Sequence, residues 1–270
     1  MKPSLLIAGA GFLGSEIARL AKSDYTILSL TKSGGEGAEA CDLSIDSAVA
    51  RIAGFFPNPD YIIHCASSGR GGPEAYRGVF VRGCGSLLDH FPESQLLFTS
   101  STSVYHQTDG SEVDESSPAL PERETSQLLL EAEEIVTRRG GTVARLGGLY
   151  GPNRSVVYRK FMNDEASIED DGARILNQIH VHDAARACLF LLENSARGVF
   201  NVTDNHPTSQ LDTYRGLSEI AKKPLPPRGE KQTSRKRAWT HKLVRNEKLT
   251  ALGWQPTYPK FLDAVKAGAV

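Results

Sequence analysis

The sequence is poor in the features that mark secreted, membrane-bound or nucleic-acid-binding proteins. It has four cysteines in 270 residues and no Cys-x-x-Cys pair, which argues against a disulfide framework or a zinc site. No apolar run approaches the ~20 residues that a membrane-spanning helix needs, and the formal net charge is only −1. We therefore expect reduced thiols, a cytoplasmic location, no bound metal, and no general attraction to nucleic acid or membranes.

The composition is that of an ordinary globular protein. Hydrophobic residues make up 40% and charged residues 23% of the chain, enough for a sizeable core in one large domain or in one domain with a small companion. One passage, Lys222–Trp239, is rich in proline, lysine and arginine. It lacks the regular aromatic spacing of a nucleic-acid surface, so we predict a solvated loop that leads into a strand.

Short apolar runs alternate with longer amphipathic segments through the first two thirds of the chain. The apolar runs are typical of buried parallel strands and comprise Ser4–Ala10, Tyr25–Leu30, Asp60–Ala66, Gln95–Ser100 and Thr142–Gly147. The segments between them predict helices at Phe12–Lys22, Asp46–Phe55, Glu74–His90 and Glu122–Arg139. This alternation predicts the α/β class, with a Rossmann-type doubly wound parallel sheet.

After about residue 150 the alternation loosens. A helix at Asp183–Asn194, a strand at Gly198–Val202 and a helix near Ser209–Lys222 are predicted there. We expect a dinucleotide-binding core over residues 1–150, to which segments around 175–203 return, and a smaller C-terminal substrate lobe over 151–270.

The first predicted strand joins the first helix through Gly9, Gly11, Phe12, Leu13 and Gly14. In a Gly-x-Gly-x-x-Gly turn the first glycine permits the tight turn, the second lets the backbone approach a pyrophosphate, and the third lets helix and strand pack closely. The pyrophosphate then lies at the helix N-terminus. The position of this turn predicts a dinucleotide site.

The end of the second predicted strand bears on the choice of dinucleotide. An NAD site places an acid there for the ribose diol, whereas an NADP site offers cations or hydroxyls to the 2′-phosphate. This chain has Thr31, Lys32 and Ser33, which favours NADP over NAD, although Lys32 could equally be a solvated loop cation. Asp42 and Leu43, further on, are candidates to hold the adenine, but could also simply begin a helix.

Several motifs resemble one family in their order along the chain. These are "GAGFLG", "IIHCASS", "LLFTSSTSVY", "RLGGLYGP", "NQIHVHDAARA" and "VFNVTDNHP". They resemble the extended short-chain dehydrogenase/reductases, the NAD-dependent epimerase/dehydratase group, and the C-terminal third resembles a small bacterial branch of it. The resemblance implies NAD(P) as cofactor, a small-molecule substrate and a homodimer.

The resemblance also implies site residues. Cys65, Ala66 and Ser67 would line the dinucleotide, and Tyr150, Gly151 and Pro152 would border the nicotinamide. Ser101 corresponds to the family's catalytic serine, with Thr102 beside it, and Asn177 and His180 fall in the segment that shapes the substrate pocket. For His180, a buried histidine bonded to the backbone is an equally good interpretation.

The family's usual catalytic pair is missing from the sequence. The family carries Tyr-x-x-x-Lys on the helix predicted at Glu122–Arg139, where tyrosine exchanges a proton with the substrate oxygen and lysine lowers its pKa. The two registers for this pair give Ser126 with Leu130, or Thr125 with Leu129. Leucine can neither donate a hydrogen bond nor stabilise a phenolate.

Two functional hypotheses remain from the sequence. One is an atypical NADP-dependent oxidoreductase or epimerase for a small polar substrate, in which Ser101 works with another acid or base. Tyr105 is a candidate for that group, and Arg123 is a candidate to anchor an anion. The other is an NADP(H)-binding sensor or scaffold without turnover. The retained serine favours the first, and the missing pair favours the second.

Overall fold

The computed structural model describes residues 1–69, 71–230 and 239–270. Residues 231–238 of the predicted basic loop therefore lie outside the described residues. In the described ranges, no helix combines the length and apolar character needed to cross a membrane.

The strands of the described residues are two to seven residues long. They are β1 Ser4–Ala8, β2 Thr26–Thr31, β3 Glu39–Ala40, β4 Tyr61–His64, β5 Gln95–Ser101, β6 Glu112–Val113, β7 Thr142–Leu146, β8 Gly148–Tyr150, β9 Ile168–Glu169, β10 Ile175–Leu176, β11 Gln178–His180, β12 Gly198–Val202, β13 Thr208–Ser209, β14 Arg228–Gly229 and β15 Leu243–Val244.

Helices separate most of these strands. They are α1 Phe12–Ala21, α2 Asp46–Phe55, α3 Pro73–Tyr76, α4 Gly83–His90, α5 Glu124–Arg138, α6 Val156–Met162, α7 Val181–Glu193, α8 Gln210–Ala221, α9 Glu247–Ala251 and α10 Phe261–Lys266. A π-helical segment, Arg77–Arg82, lies between α3 and α4, and a 3-10 turn, Thr102–Val104, follows β5.

The described residues form one large sheet in which the strand order is β12-β7-β5-β4-β1-β2-β3. The pairs β1 with β2, β1 with β4, and β4 with β5 are parallel, with Leu5 opposite both Ile27 and Tyr61. The order β3-β2-β1-β4-β5 is that of a dinucleotide-binding sheet, whose switch point lies between β1 and β4. The predicted fold class is confirmed.

The chain divides into two compact units. Unit 1 comprises residues 1–104, 120–145 and 185–200, and unit 2 comprises 105–119, 146–184 and 201–270. The core of unit 1 is the buried sheet, where β1 residues Leu5, Leu6 and Ile7 have no exposed surface. In unit 2 a separate core forms around Tyr150, Phe161 and other apolar side chains. Compactness alone does not define an independently folding domain, so the predicted division near residue 150 stays a prediction.

The predicted helix Glu74–His90 contains a change of helix type that the sequence does not reveal. Its middle, Arg77–Arg82, is π-helical, a rare form that shifts the backbone hydrogen bonds by one residue. The buried His64 ring, at the end of β4, lies with Nε2 2.8 Å from the carbonyl oxygen of Val79. This side-chain bond gives a carbonyl of the π-helical segment a partner.

Helix α5 begins two residues later than predicted. Arg123 is extended, with φ −83° and ψ 132°, and its carbonyl accepts hydrogen bonds from the Ser126 and Gln127 amides. Arg123 is therefore the N-cap, and Pro121 and Glu122 precede the helix instead of forming its first turn.

Candidate functional site

The turn after β1 is held by backbone bonds and close packing. The amides of Gly9 and Ala10 both donate to the Leu30 carbonyl, at 3.0 and 2.8 Å. Gly9 has φ +118°, and a Cβ added there would lie 2.3 Å from the backbone nitrogen of Ala66. A Cβ on Gly14 would lie 2.1 Å from the Gly9 carbonyl oxygen. These two glycines are required by the packing of the turn itself.

Gly11 is required by neither packing nor backbone strain. It is the N-cap of α1 with φ −84°, and a Cβ added there would meet no atom of the described residues within 4 Å. The first turn of α1 carries no acidic residue and no side-chain cap, so its N-H groups and dipole face the space beside Gly11. This open space at a helix N-terminus fits the pyrophosphate of a dinucleotide.

The segment after β4 packs against this turn. The Cys65 thiol donates to the Gly9 carbonyl at 3.2 Å, and burial raises the pKa of Cys65 to about 12, so the thiol is a packing group and not a nucleophile. Ala66 lies against Gly9, whereas Ser67 is exposed and its Oγ accepts from the Gly69 amide at 3.1 Å. Of the three predicted residues, Ser67 presents its side chain to solvent.

The residues predicted for the adenosine half form a hydrogen-bonded group. Thr31 Oγ1 donates to the Gly34 carbonyl at 3.0 Å, and Lys32 Nζ lies 2.9 Å from Asp42 Oδ2. Asp42 Oδ1 accepts from the amide and hydroxyl of Ser44 at 3.0 and 2.7 Å. The Ser44 hydroxyl and then Lys32 hold the pKa of Asp42 below its usual value.

This group extends the sequence interpretation in one respect. Lys32 and Asp42 were given separate roles, but the structure makes them one ion pair. Ser33 is exposed beside Lys32, and Leu43 is buried. Phe12 is partly buried and Leu13 is buried in α1.

The candidate catalytic serine lies at the carboxyl end of β5. Ser101 is partly exposed, and its Oγ accepts a hydrogen bond from the Ser103 amide at 3.2 Å. That bond leaves the hydroxyl proton of Ser101 available for donation. Thr102 is buried and begins the 3-10 turn.

Helix α5 has no group that can replace the usual catalytic pair at either register. Ser126 and Leu129 are buried, while Thr125 and Leu130 are partly exposed. Arg123, at the N-cap, is also partly exposed. No tyrosine or lysine occurs anywhere in the sequence of α5.

An unpredicted charged network fixes α5 to the sheet. Glu133 and Arg145 form a bidentate ion pair, at 2.6 Å between Arg145 Nη2 and Glu133 Oε2, with side chains only 5% and 7% exposed. Ser100 Oγ donates to Glu133 Oε1 at 2.5 Å. The residue before Ser101 is thus anchored to α5. The burial of Glu133 could have been inferred from helical spacing. It lies on the buried stripe of α5 with Leu129, Ala132 and Val136.

In unit 2, the predicted pocket residues are engaged with their own surroundings. The Asn177 amide donates to the Lys242 carbonyl at 2.9 Å and accepts from the Val244 amide at 2.8 Å. His180 Nε2 lies 2.8 Å from the Ala269 carbonyl oxygen, and its Nδ1 accepts from the His182 amide at 3.2 Å. Both side chains therefore hold backbone segments in place, and their role toward substrate stays a prediction.

Tyr150 is the centre of an aromatic group in unit 2. Its ring centroid lies 5.2 Å from that of His180 and 4.9 Å from that of Phe261. Its hydroxyl is buried without a hydrogen-bond partner among the described residues, and burial raises the pKa of Tyr150. Gly151 is buried and Pro152 exposed next to it.

Tyr105, a candidate acid or base, is completely buried in unit 2. Its hydroxyl lies 2.8 Å from the Asp114 carbonyl oxygen and 3.0 Å from Asn201 Oδ1. The Tyr105 carbonyl accepts from Lys242 Nζ at 2.8 Å, a buried lysine that sequence reasoning missed. Burial, and then the charge of Arg174, lower the pKa of Lys242 to about 8.

The fold and the glycine-rich turn define the class to which the chain belongs. It is a member of the NAD dependent epimerase/dehydratase family, whose model matches residues 5–203, and the predicted family is confirmed. It is similar to Protein YeeZ of Escherichia coli K12, with 29% identity over 224 residues that cover 76% of this chain and 79% of that protein. A 3-diazoavenalumate denitrifying reductase of a Streptomyces species is 28% identical over 158 residues, 52% of each chain.

A solved structure agrees in fold. The UDP-glucose 4-epimerase of Thermus thermophilus, in complex with NAD, has a TM-score of 0.78 at 18% identity, covering 98% of this chain and 96% of that one. Over the described part of this chain, no group of three or more His, Cys, Asp or Glu side chains could hold a metal ion.

Proposed function

We propose that this protein binds a nicotinamide dinucleotide, NADP in preference to NAD, and acts as an atypical oxidoreductase or epimerase on a small polar substrate. The observation that carries the proposal is the open space beside Gly11, at the uncapped N-terminus of α1. Packing against Ala66 explains why position 9 is glycine, whereas no contact within the described residues explains the glycine at position 11. A ligand that approaches the backbone at Gly11 explains it.

Family membership supports the redox chemistry. When bound, a nicotinamide dinucleotide accepts or donates hydride. The Ser101 hydroxyl would donate a hydrogen bond to the substrate oxygen, held in place by the Ser103 amide and by the anchoring of Ser100 to Glu133. Since α5 has neither tyrosine nor lysine, the proton must come from another group. Tyr105 stays a predicted candidate, although its buried hydroxyl already donates to the Asp114 carbonyl, and Arg123 would anchor an anionic group of the substrate. The name of the Streptomyces relative, a reductase, is consistent with hydride transfer.

The preference for NADP rests on Lys32. Lys32 follows β2, and an NADP site offers cations to the 2′-phosphate at the end of that strand. Its side chain is 82% exposed and lies 2.9 Å from Asp42 Oδ2. We expect Lys32→Ala to weaken NADPH binding about tenfold or more, because a charge-assisted hydrogen bond is lost, and to leave NADH binding nearly unchanged. Lys22→Ala, at the exposed end of α1, is the matched control. An equal loss for both nucleotides would refute the role of Lys32.

Turnover is tested with NADPH and a panel of carbonyl compounds and sugar nucleotides. We expect Ser101→Ala to lower kcat by roughly a hundredfold on any accepted substrate, as loss of a general acid-base or oxyanion partner does, with NADPH affinity retained. Ser23→Ala, at an exposed position, should behave as the parent protein. Full activity of Ser101→Ala would remove Ser101 from the proposal.

A second candidate function is favoured by the sequence of α5. Without its tyrosine and lysine the protein could serve as an NADP(H)-binding sensor or scaffold. This function would be selected over the first by tight NADPH binding without turnover of any compound of the panel. Ser101→Ala would then leave the NADPH affinity unchanged.

A further inference from the structure

A polar cavity of about 440 Å³ lies in unit 1 at the opposite edge of the sheet from the glycine-rich turn. Tyr61 and Gln95, the first residues of β4 and β5, line it, as does Gly141, just before β7. Because β1, β4 and β5 run parallel, their amino ends share this edge and their carboxyl ends share the other. The dinucleotide site has no part in this cavity.

The cavity offers a cation. Arg197 lines it, and its guanidinium makes one long contact, 3.5 Å from the Ala196 carbonyl oxygen, and no ion pair within the described residues. A carboxylate matches the fork of an arginine. Gln95 also lines the cavity, but its Nε2 is buried and presents no surface to a ligand.

The other charges of the lining exclude a simple anion. Arg139 lines the cavity but is paired with Asp89 at 2.8 Å. Asp60 accepts from the amide and hydroxyl of Ser4, both at 2.7 Å. Glu93, which is exposed and lines the cavity, has no ion pair among the described residues. Arg197 is therefore a cation without an ion pair among the described residues, and of the two carboxylates without one, Asp60 is held by Ser4 while Glu93 makes no hydrogen bond there.

We propose that this cavity binds a small zwitterion of the α-amino-acid type. The ligand carboxylate contacts Arg197, and its ammonium contacts Glu93. Leu88 and Leu96 supply apolar lining for the ligand side chain, and the volume lies in the range of small-molecule sites. Binding of this ligand is independent of the proposed dinucleotide function.

The test uses L-leucine and its two half-analogues in calorimetric titration of the full chain. These are 4-methylpentanoate, which lacks the ammonium, and 3-methylbutylamine, which lacks the carboxylate. We expect saturable leucine binding with a Kd of about 1 mM and each half-analogue to bind about tenfold or more weakly, since each loses a charge-assisted contact. Equal binding of leucine and either half-analogue, or no saturable binding up to about 20 mM, overturns the proposal.

Two single variants separate the ends of the ligand. Arg197→Gln should weaken leucine and 4-methylpentanoate about tenfold and leave 3-methylbutylamine unchanged. Glu93→Gln should weaken leucine and 3-methylbutylamine and leave 4-methylpentanoate unchanged. Both residues are exposed, so both variants should fold. Circular dichroism is used to check their folding. Arg138→Gln, an exposed arginine outside the cavity lining, is the control.

The pattern of outcomes is decisive. Leucine affinity unchanged in both Arg197→Gln and Glu93→Gln overturns the site, and tighter binding of inorganic phosphate than of leucine overturns the zwitterion. NADPH titration of the same samples keeps the two proposals apart. Leucine binding without NADPH binding would reject only the dinucleotide function, and the reverse would reject only this site.

Discussion

At the scale of single residues, Gly9 and Gly11 meet different needs within one turn. Gly9 combines a φ of +118° with a space that Ala66 already fills, so its lack of a Cβ is a condition of folding. Gly11 has an ordinary φ, and the described residues leave the space around it empty. Its lack of a Cβ therefore affects the binding of a ligand and not the folding of the turn. The two positions therefore separate stability from binding.

The first prediction is that Gly9→Ala destabilises the fold. The added Cβ would lie 2.3 Å from the Ala66 nitrogen and force an unfavourable φ, which together should lower the free energy of unfolding by about 2–5 kcal/mol. Urea unfolding followed by circular dichroism measures the change. Gly54→Ala, in α2 where a Cβ would meet nothing within 4 Å, is the control. A Gly9→Ala variant as stable as that control would contradict the packing argument.

His64 is a second residue whose effect on stability can be tested. Burial, opposed by its hydrogen bond to Val79, lowers the pKa of His64 to about 4 from an ordinary value of 6.5. Between these two pH values the unfolded chain binds a proton that the folded protein does not, so stability falls as the pH falls. The size of the loss is ~1.4 kcal/mol for each pH unit.

The second prediction concerns this pH dependence. Between pH 7 and pH 5 the parent protein should lose about 2 kcal/mol more stability than His64→Gln, whose amide can still donate to the Val79 carbonyl but does not titrate. Urea unfolding at a series of pH values gives the difference. A slope unchanged in His64→Gln would show that His64 does not stay neutral in the folded state.

At the scale of elements, α5 combines an apolar stripe with a buried charge. Leu128, Ala132 and Val136 are buried along it, as their spacing predicts. Glu133 was not predicted to be buried, because an acidic run ordinarily marks a solvated helix face. Its burial depends on Arg145 in β7, a partner twelve residues away that no local pattern reveals.

The third prediction tests this buried pair. Glu133→Gln should lower the free energy of unfolding by about 3–5 kcal/mol, because Arg145 is left buried without its counter-charge. The double variant Glu133→Leu with Arg145→Met should recover most of that loss, since an apolar pair needs no charge compensation. Thermal and urea unfolding provide the measurement. Glu134→Gln, on the exposed face with its partner Arg138, should change stability by less than about 0.5 kcal/mol.

The positions of the main elements could be predicted, while several details could not. The strands of the sheet and helix α2 follow from apolar runs and helical spacing, which are local properties. The π-helical segment is in contact with His64, which is distant in sequence, and α5 starts after the extended residue Arg123. At the site, the glycines were predictable from their spacing, whereas the Lys32–Asp42 pair and buried Lys242 required the folded chain.

At the scale of the whole molecule, the chain has the fold of its family. The sheet order and the turn after β1 are those of a dinucleotide-binding protein, and the family match extends over residues 5–203. Within that framework the sequence of α5 lacks tyrosine and lysine. Binding of the dinucleotide is therefore the property on which both proposed functions depend, and a homodimer remains an expectation that sedimentation can test.

The most direct measurement is a titration of the parent protein and of Gly11→Ala with NADPH and with NADH, in which nucleotide fluorescence reports binding. We predict that the parent binds NADPH more tightly than NADH. Gly11→Ala should keep its fold, losing at most about 1 kcal/mol of stability, while its NADPH affinity falls at least about tenfold, because the new methyl group occupies the space of the pyrophosphate. No binding of either nucleotide to the parent, or equal NADPH affinity in Gly11→Ala, would contradict the account.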